Sequence, residues 1–173
     1  SRSVAYSSER GQKVQDAQGG GVETVRGIYV RRADGTGPEH FLLKTTGLLA
    51  PTGFSPDGRM LAFDESRSQT QADVAVIHLS ESGDAVGEPQ LVVASPRIDS
   101  NGAFSFDGKW LAYEVGDGGN PRIFLRAAAG GDSKWQVSED LGSNARWSRD
   151  GKLHFLKADG TVTAVSVMEN AGA

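Results

Sequence analysis

The chain lacks cysteine, so neither a disulfide framework nor a thiolate metal site is available to it. Its three histidines, His40, His78 and His154, are not spaced as a metal pair, and no HExxH motif occurs. No apolar run approaches the ~18 residues of a membrane span. There is no excess of basic charge: 18 Lys and Arg face 22 Asp and Glu, for a net charge of -4, which argues against a nucleic-acid-binding surface. No stretch combines helical periodicity with capping residues. What the chain has in plenty is glycine, 23 of 173 residues, without a Gly-X-Y period. Many turns between short strands account for that count.

Three segments repeat. They are residues 53–63 (GFSPDGRMLAF), 103–113 (AFSFDGKWLAY) and 146–155 (RWSRDGKLHF). Each reads aromatic-Ser-x-Asp-Gly-basic and then an apolar run. The interval of about 40–50 residues matches a four-stranded propeller blade. Asp-Gly between apolar runs marks a hairpin, because Gly accepts positive φ and Asp bonds nearby amides. Asp57, Gly58, Asp107, Gly108, Asp150 and Gly151 are therefore expected to build structural turns, with Ser55, Ser105 and Ser148 bonding backbone beside them. The last repeat is one residue shorter, and a single deletion restores Leu153 and Phe155 to the apolar slots of Leu61 and Phe63. Trp147 takes the strand position of Phe54 and Phe104. With Trp110 and Trp135 it is expected to supply much of the packing.

Two further β-type runs follow each hairpin, 73–79 and 89–93 in one repeat, 122–126 and 134–137 in the next. The same grammar extends outward to 3–9, 27–32 and 40–43 on one side and 161–167 on the other. The expected fold class is all-β: a β-propeller of four-stranded antiparallel blades, about three and a half of them, forming a partial ring of fourteen strands. Blade boundaries are expected at 1–46 (from its second strand), 47–95, 96–139 and 140–173 (without its fourth strand). The polar, Gly-rich stretch 11–26 reads as a flexible insertion.

The segment FSPDGRMLAF resembles the TolB-type, WD-like propeller repeat, and the resemblance covers nearly the whole chain apart from 11–26. Residues 134–164 resemble the last blade region of propellers attached to bacterial transmembrane Ser/Thr protein kinases. The resemblance implies a periplasmic or extracytoplasmic protein with a protein or peptide partner. It also implies a piece of a larger envelope or sensor protein. Exposed blade edges allow self-association, and two copies would supply strands enough for seven blades.

No catalytic constellation is legible. Gly53-Phe54-Ser55-Pro56-Asp57-Gly58 is not a nucleophile elbow, since its second Gly is one place late and it leads into a hairpin rather than a helix. The repeated Asp residues fall one per blade and cannot converge. Neither Gly19-Gly20-Gly21 nor Gly116-Asp117-Gly118-Gly119 is a phosphate loop. No cofactor and no metal site is expected. Arg26, Arg31, Arg32, Arg122 and Arg126 read as solvated strand residues. In a propeller the first strand of each blade lines the channel, and the loops at its start form a recognition face. Arg97, Asp99, Asn101, Asn144 and Arg146 are the candidate ligand-contact residues there. The expected function is a non-catalytic binding module. The alternatives are the gating propeller of a prolyl-oligopeptidase-type serine peptidase and a propeller enzyme with its own channel site, such as a glycan lyase.

Overall fold

The computed structural model describes residues 3–14, 21–45, 47–66, 71–117 and 119–168. All regular elements are strands. They form four antiparallel sheets in chain order. The first holds β1 (Ser3–Val14), β2 (Gly21–Arg32) and β3 (His40–Thr45). The second holds β4 (Leu49–Phe54), β5 (Met60–Glu65), β6 (Asp73–Leu79) and β7 (Ala85–Val93). The third holds β8 (Ile98–Phe104), β9 (Trp110–Gly116), β10 (Arg122–Ala127) and β11 (Lys134–Gln136). The fourth holds β12 (Gly142–Trp147), β13 (Lys152–Lys157) and β14 (Val162–Ser166). The strands β4, β8 and β12 pack on one another, which stacks the sheets as propeller blades around their first strands.

The repeated hairpins use one set of bonds. In the second sheet Ser55 Oγ donates to Asp57 Oδ1 at 2.6 Å and accepts from Met60 N at 2.8 Å, while Arg59 N donates to Asp57 Oδ1 at 2.9 Å. The third sheet repeats this with Ser105, Asp107, Lys109 and Trp110. Ser148 and Asp150 repeat the hydroxyl–carboxylate bond at 2.5 Å in a turn one residue shorter. Gly58, Gly108 and Gly151 take φ of 73°, 73° and 82°, where a side chain would be strained. The deletion in the last repeat keeps the register: Leu153 pairs with Trp147 as Leu61 pairs with Phe54 and Leu111 with Phe104.

Three clusters fill the space between sheets. Ile28, Val30, Leu61, Phe63 and Ile77 join the first and second. Ala62, Val74, Val76, Leu111 and Tyr113 join the second and third. Ile123, Leu125, Leu153 and Phe155 join the third and fourth, with Trp110 and Trp147 against them. Trp147 also donates its indole N–H to the Ala103 carbonyl at 3.0 Å, bridging two sheets. Trp135 departs from expectation: it is 49% exposed and lies edge-on to Trp110 on the very short β11.

The 11–26 stretch is corrected in part. Pairing runs unbroken from Ser3↔Arg32 to Val14↔Gly21, so residues 11–14 and 21–26 prolong a β-hairpin rather than form a loop. Residues 15–20 lie outside the described residues.

Candidate functional site

The inner wall is built from β8 and β12 and from the strands that back them. Both carry a β-bulge, between Ser100 and Ala103 and between Ser143 and Arg146. At each bulge an Asn turns its backbone into the left-handed region: Asn101 at φ 57° and Asn144 at φ 55°. Asn tolerates this better than other residues with a Cβ. The turn aims an amide N–H out of the sheet, and the neighbouring sheet supplies its acceptor. Asn101 N donates to both Asp64 oxygens at 3.0 Å, and Asn144 N donates to Glu114 Oε1 at 2.7 Å.

Asp64 and Glu114 occupy one repeat position, following the aromatic Phe63 and Tyr113 in β5 and β9. Each thus latches its own sheet to the next. Glu114 is buried. Burial pushes the Asp64 carboxyl up to about 6; the nearby Glu114 charge pushes the same way, and the amides of Asn101 and Gly102 pull it back. The sequence reading missed both acids. The available signal was an aromatic–acid pair repeated at the end of the run after each Asp-Gly turn.

The five candidate ligand residues divide. Asp99 is fully buried: Ser95 N and Ser95 Oγ donate to its two oxygens at 2.6 and 3.0 Å, and Asp99 N donates to the Ala72 carbonyl at 2.9 Å. Burial raises its pKa against the pull of the Ser95 bonds. Its position serves to pin the loop between β7 and β8. Asn101 and Asn144 stand on the inner wall with their backbone N–H groups committed to the latches. Arg146 is exposed, with Nη1 donating to the Ala145 carbonyl at 2.7 Å. Arg97 is exposed on the loop before β8 and forms an ion pair with Asp117 at 3.4 Å, on the loop after β9. Beside that pair lies a hollow of about 180 Å³ lined by Ile98, Ser100, Glu114, Gly116, Gly119 and Pro121.

The wall presents the amide and guanidinium groups of Asn101, Asn144 and Arg146. Its carboxylates are spent on backbone amides. Among the described residues no group of three or more His, Asp or Glu could hold a metal ion. His78 is exposed, His154 rests its Nε2 3.1 Å from Ser148 Oγ, and His40 is half-buried with Nε2 3.3 Å from the Gly83 carbonyl. Asp57, Asp107 and Asp150 are each held below the ordinary carboxylate pKa, first by the Ser hydroxyl in the same turn. No helix among the described residues is long and apolar enough to cross a membrane.

No family model and no curated protein sequence matches the chain. Solved structures do. TolB from Agrobacterium tumefaciens superposes with a TM-score of 0.63 at 17% identity, covering 83% of this chain and 60% of that one. TolB from Acinetobacter baumannii gives 0.61 at 16% identity, covering 82% of this chain and 37% of that one. A puromycin-hydrolysing peptidase from Mycobacterium tuberculosis gives 0.61 at 18% identity, covering 88% of this chain and 26% of that one. The chain spans less than two thirds of the length of each of these. Its architecture is that of a partial β-propeller of the kind seen in TolB.

Proposed function

We propose that the chain is a non-catalytic binding module. It takes a protein or peptide partner on the loop face around Arg97, Asn101, Asn144 and Arg146. The observation that supports this reading is the use made of the inner-wall carboxylates. Asp64 and Glu114, the two best placed for acid–base work, are tied to backbone N–H groups. What remains for a partner is guanidinium and amide chemistry on rigid strands, which suits recognition. The module belongs to a larger envelope or sensor protein, TolB-like or the propeller of a membrane Ser/Thr kinase, and works in the periplasm. The likeness to TolB structures favours that setting.

A photo-crosslinking residue at position 144, compared with one at Glu88 on the exposed outer strand β7, tests the reading. A partner captured from position 144, and lost when Arg97 and Arg146 are both changed to Ala without loss of melting temperature, supports it. Equal capture from both positions overturns it. A second reading, the gating propeller of a prolyl-oligopeptidase-type peptidase, is favoured by the likeness to the Mycobacterium tuberculosis peptidase. The complete reading frame separates the two, because a GxSxG strand–turn–helix beyond the propeller belongs only to the peptidase.

A further inference from the structure

On the outer wall, away from the latches, a cleft of about 360 Å³ opens between the second and third sheets. One side is the end of β7 and the loop after it, Leu91 to Ser95. The other is Arg126 on β10 and the stretch leading into β11, Gly131 to Lys134. Tyr113 closes the bottom. This tyrosine is 1% exposed, and its ring stacks on Phe124 at 5.9 Å. Its hydroxyl makes no hydrogen bond among the described residues, although it sits within the electrostatic reach of Arg126 and Asp99. The hydroxyl is open to the cleft, where it is a donor available to an acceptor.

The surrounding charges say which acceptor. Arg126 and Lys134 both line the cleft, and Arg126 is fixed in place by donating Nη2 to the Gly131 carbonyl at 2.8 Å. Asp132 is the single carboxylate among the lining residues. Asp99 lies behind Ser95 with both oxygens taken by it. The lining therefore carries one net positive charge, which suits a monoanion better than a dianion. The β7 side is apolar, with Leu91 39% exposed beside Val92 and Val93.

We propose that this cleft binds a carboxylate attached to an apolar group. The carboxylate is held by the Tyr113 hydroxyl, Lys134 and the free edge of the Arg126 guanidinium, and the apolar group lies on Leu91–Val93. The same chemistry is offered by a small organic acid and by the C-terminus of a peptide ending in an aliphatic residue. This is independent of the loop-face reading, since it uses none of the same residues. Arg126, read from sequence as a solvated strand residue, is half-buried here and has a site to serve.

N-acetyl-leucine, N-acetyl-leucinamide, inorganic phosphate and a pentapeptide ending in leucine with a free carboxylate are titrated into the isotope-labelled chain and followed by amide NMR. N-acetyl-leucine is expected to shift the resonances of Ser95, Arg126 and Lys134, and the amide to leave them in place. Lys134→Gln and Tyr113→Phe, which keeps the stacked ring, are each expected to weaken binding about tenfold. Arg59→Gln, in a distant turn, is expected to leave it unchanged. Equal shifts with N-acetyl-leucinamide, tighter binding of phosphate, no shift with N-acetyl-leucine, or undiminished binding in both variants overturns the proposal. Tighter binding of the pentapeptide than of N-acetyl-leucine assigns the carboxylate to a peptide terminus; equal binding assigns it to a small acid.

Discussion

The junction between the first and second sheets is built differently from the two that follow it. At the later junctions an acid at the end of one sheet's second strand, Asp64 or Glu114, holds the bulge N–H of an Asn in the next sheet. At the first junction Ser7 stands where those acids stand, pairing with Ile28 as Asp64 pairs with Val74 and Glu114 with Ile123. The receiving position there is Pro51, which has no N–H to give. Donor and acceptor are absent together. A lone acid facing Pro51 would be desolvated for no bond, and a lone Asn N–H would be buried unpaired; both are costly. The first junction is instead held by apolar packing around Phe63 and Ile28. A bulge survives in β4, between Pro51 and Gly53, but without the left-handed residue that Asn101 and Asn144 supply at the later junctions.

Removing the apolar anchor should do the greatest damage where no acid–amide latch holds. Phe63→Ala empties a fully buried site at the first junction. It is expected to cost about 3–5 kcal/mol by denaturant unfolding. A loss no larger than that of an exposed substitution would mean that this junction does not rest on packing. At the third junction the latch is the target. Glu114→Ala takes the charged acceptor away from the Asn144 N–H, for an expected loss of about 1–3 kcal/mol. Glu114→Gln retains an acceptor oxygen and should recover most of it. If the two variants prove equally unstable, the charge rather than the hydrogen bond carries the latch.

The turns, common to the second, third and fourth sheets, give a smaller effect. Asp107 accepts from Ser105 Oγ and from Lys109 N. Asp107→Ala should therefore lower stability by about 1 kcal/mol, the scale of a lost capping bond. An unchanged melting curve would leave Gly108 and the Ser105 hydroxyl as sufficient for the turn.

These ranks track what could be read in the chain before folding. The Asp-Gly turns were legible because their chemistry is local: Ser55, Asp57 and Arg59 bond within one hairpin, and the spacing alone brings them together. Strand order and the shortened turn at Asp150 followed from the same repeats. The latches were not legible, because Asp64 and Asn101 come from different sheets and meet only once the sheets stack. Asp99 was read as a ligand residue because a polar side chain near a strand start looks available. Its burial depends on Ser95 folding back over it, which no local pattern announces. The cleft at Tyr113 was hidden for the same reason: the aromatic fits a core position, and only the gap between β7 and β11 uncovers its hydroxyl.

The finest effect is at the Asp64 latch, and pH reads it. Asp64 has a folded pKa pushed up to about 6. The groups acting on Asp64 are the Glu114 charge, which raises it, and the Asn101 and Gly102 amides, which lower it, all subordinate to burial. A carboxyl with a folded pKa above its unfolded value binds its proton more tightly in the folded chain. Its contribution to stability is thus fully present below the unfolded value of about 3.9 and is lost as pH rises through 6. The turn aspartates run the other way, with folded values below 3.8, and so change charge outside the interval from pH 5 to 7. Between pH 7 and pH 5 the chain should gain stability from Asp64, by about 1 kcal/mol or less because the group is partly solvated. Asp64→Asn keeps an acceptor for the Asn101 N–H and removes the titration, so its unfolding curve should lose that slope. A slope that persists in Asp64→Asn would place the titrating group elsewhere, and the Asp64 latch would then be indifferent to pH over that interval.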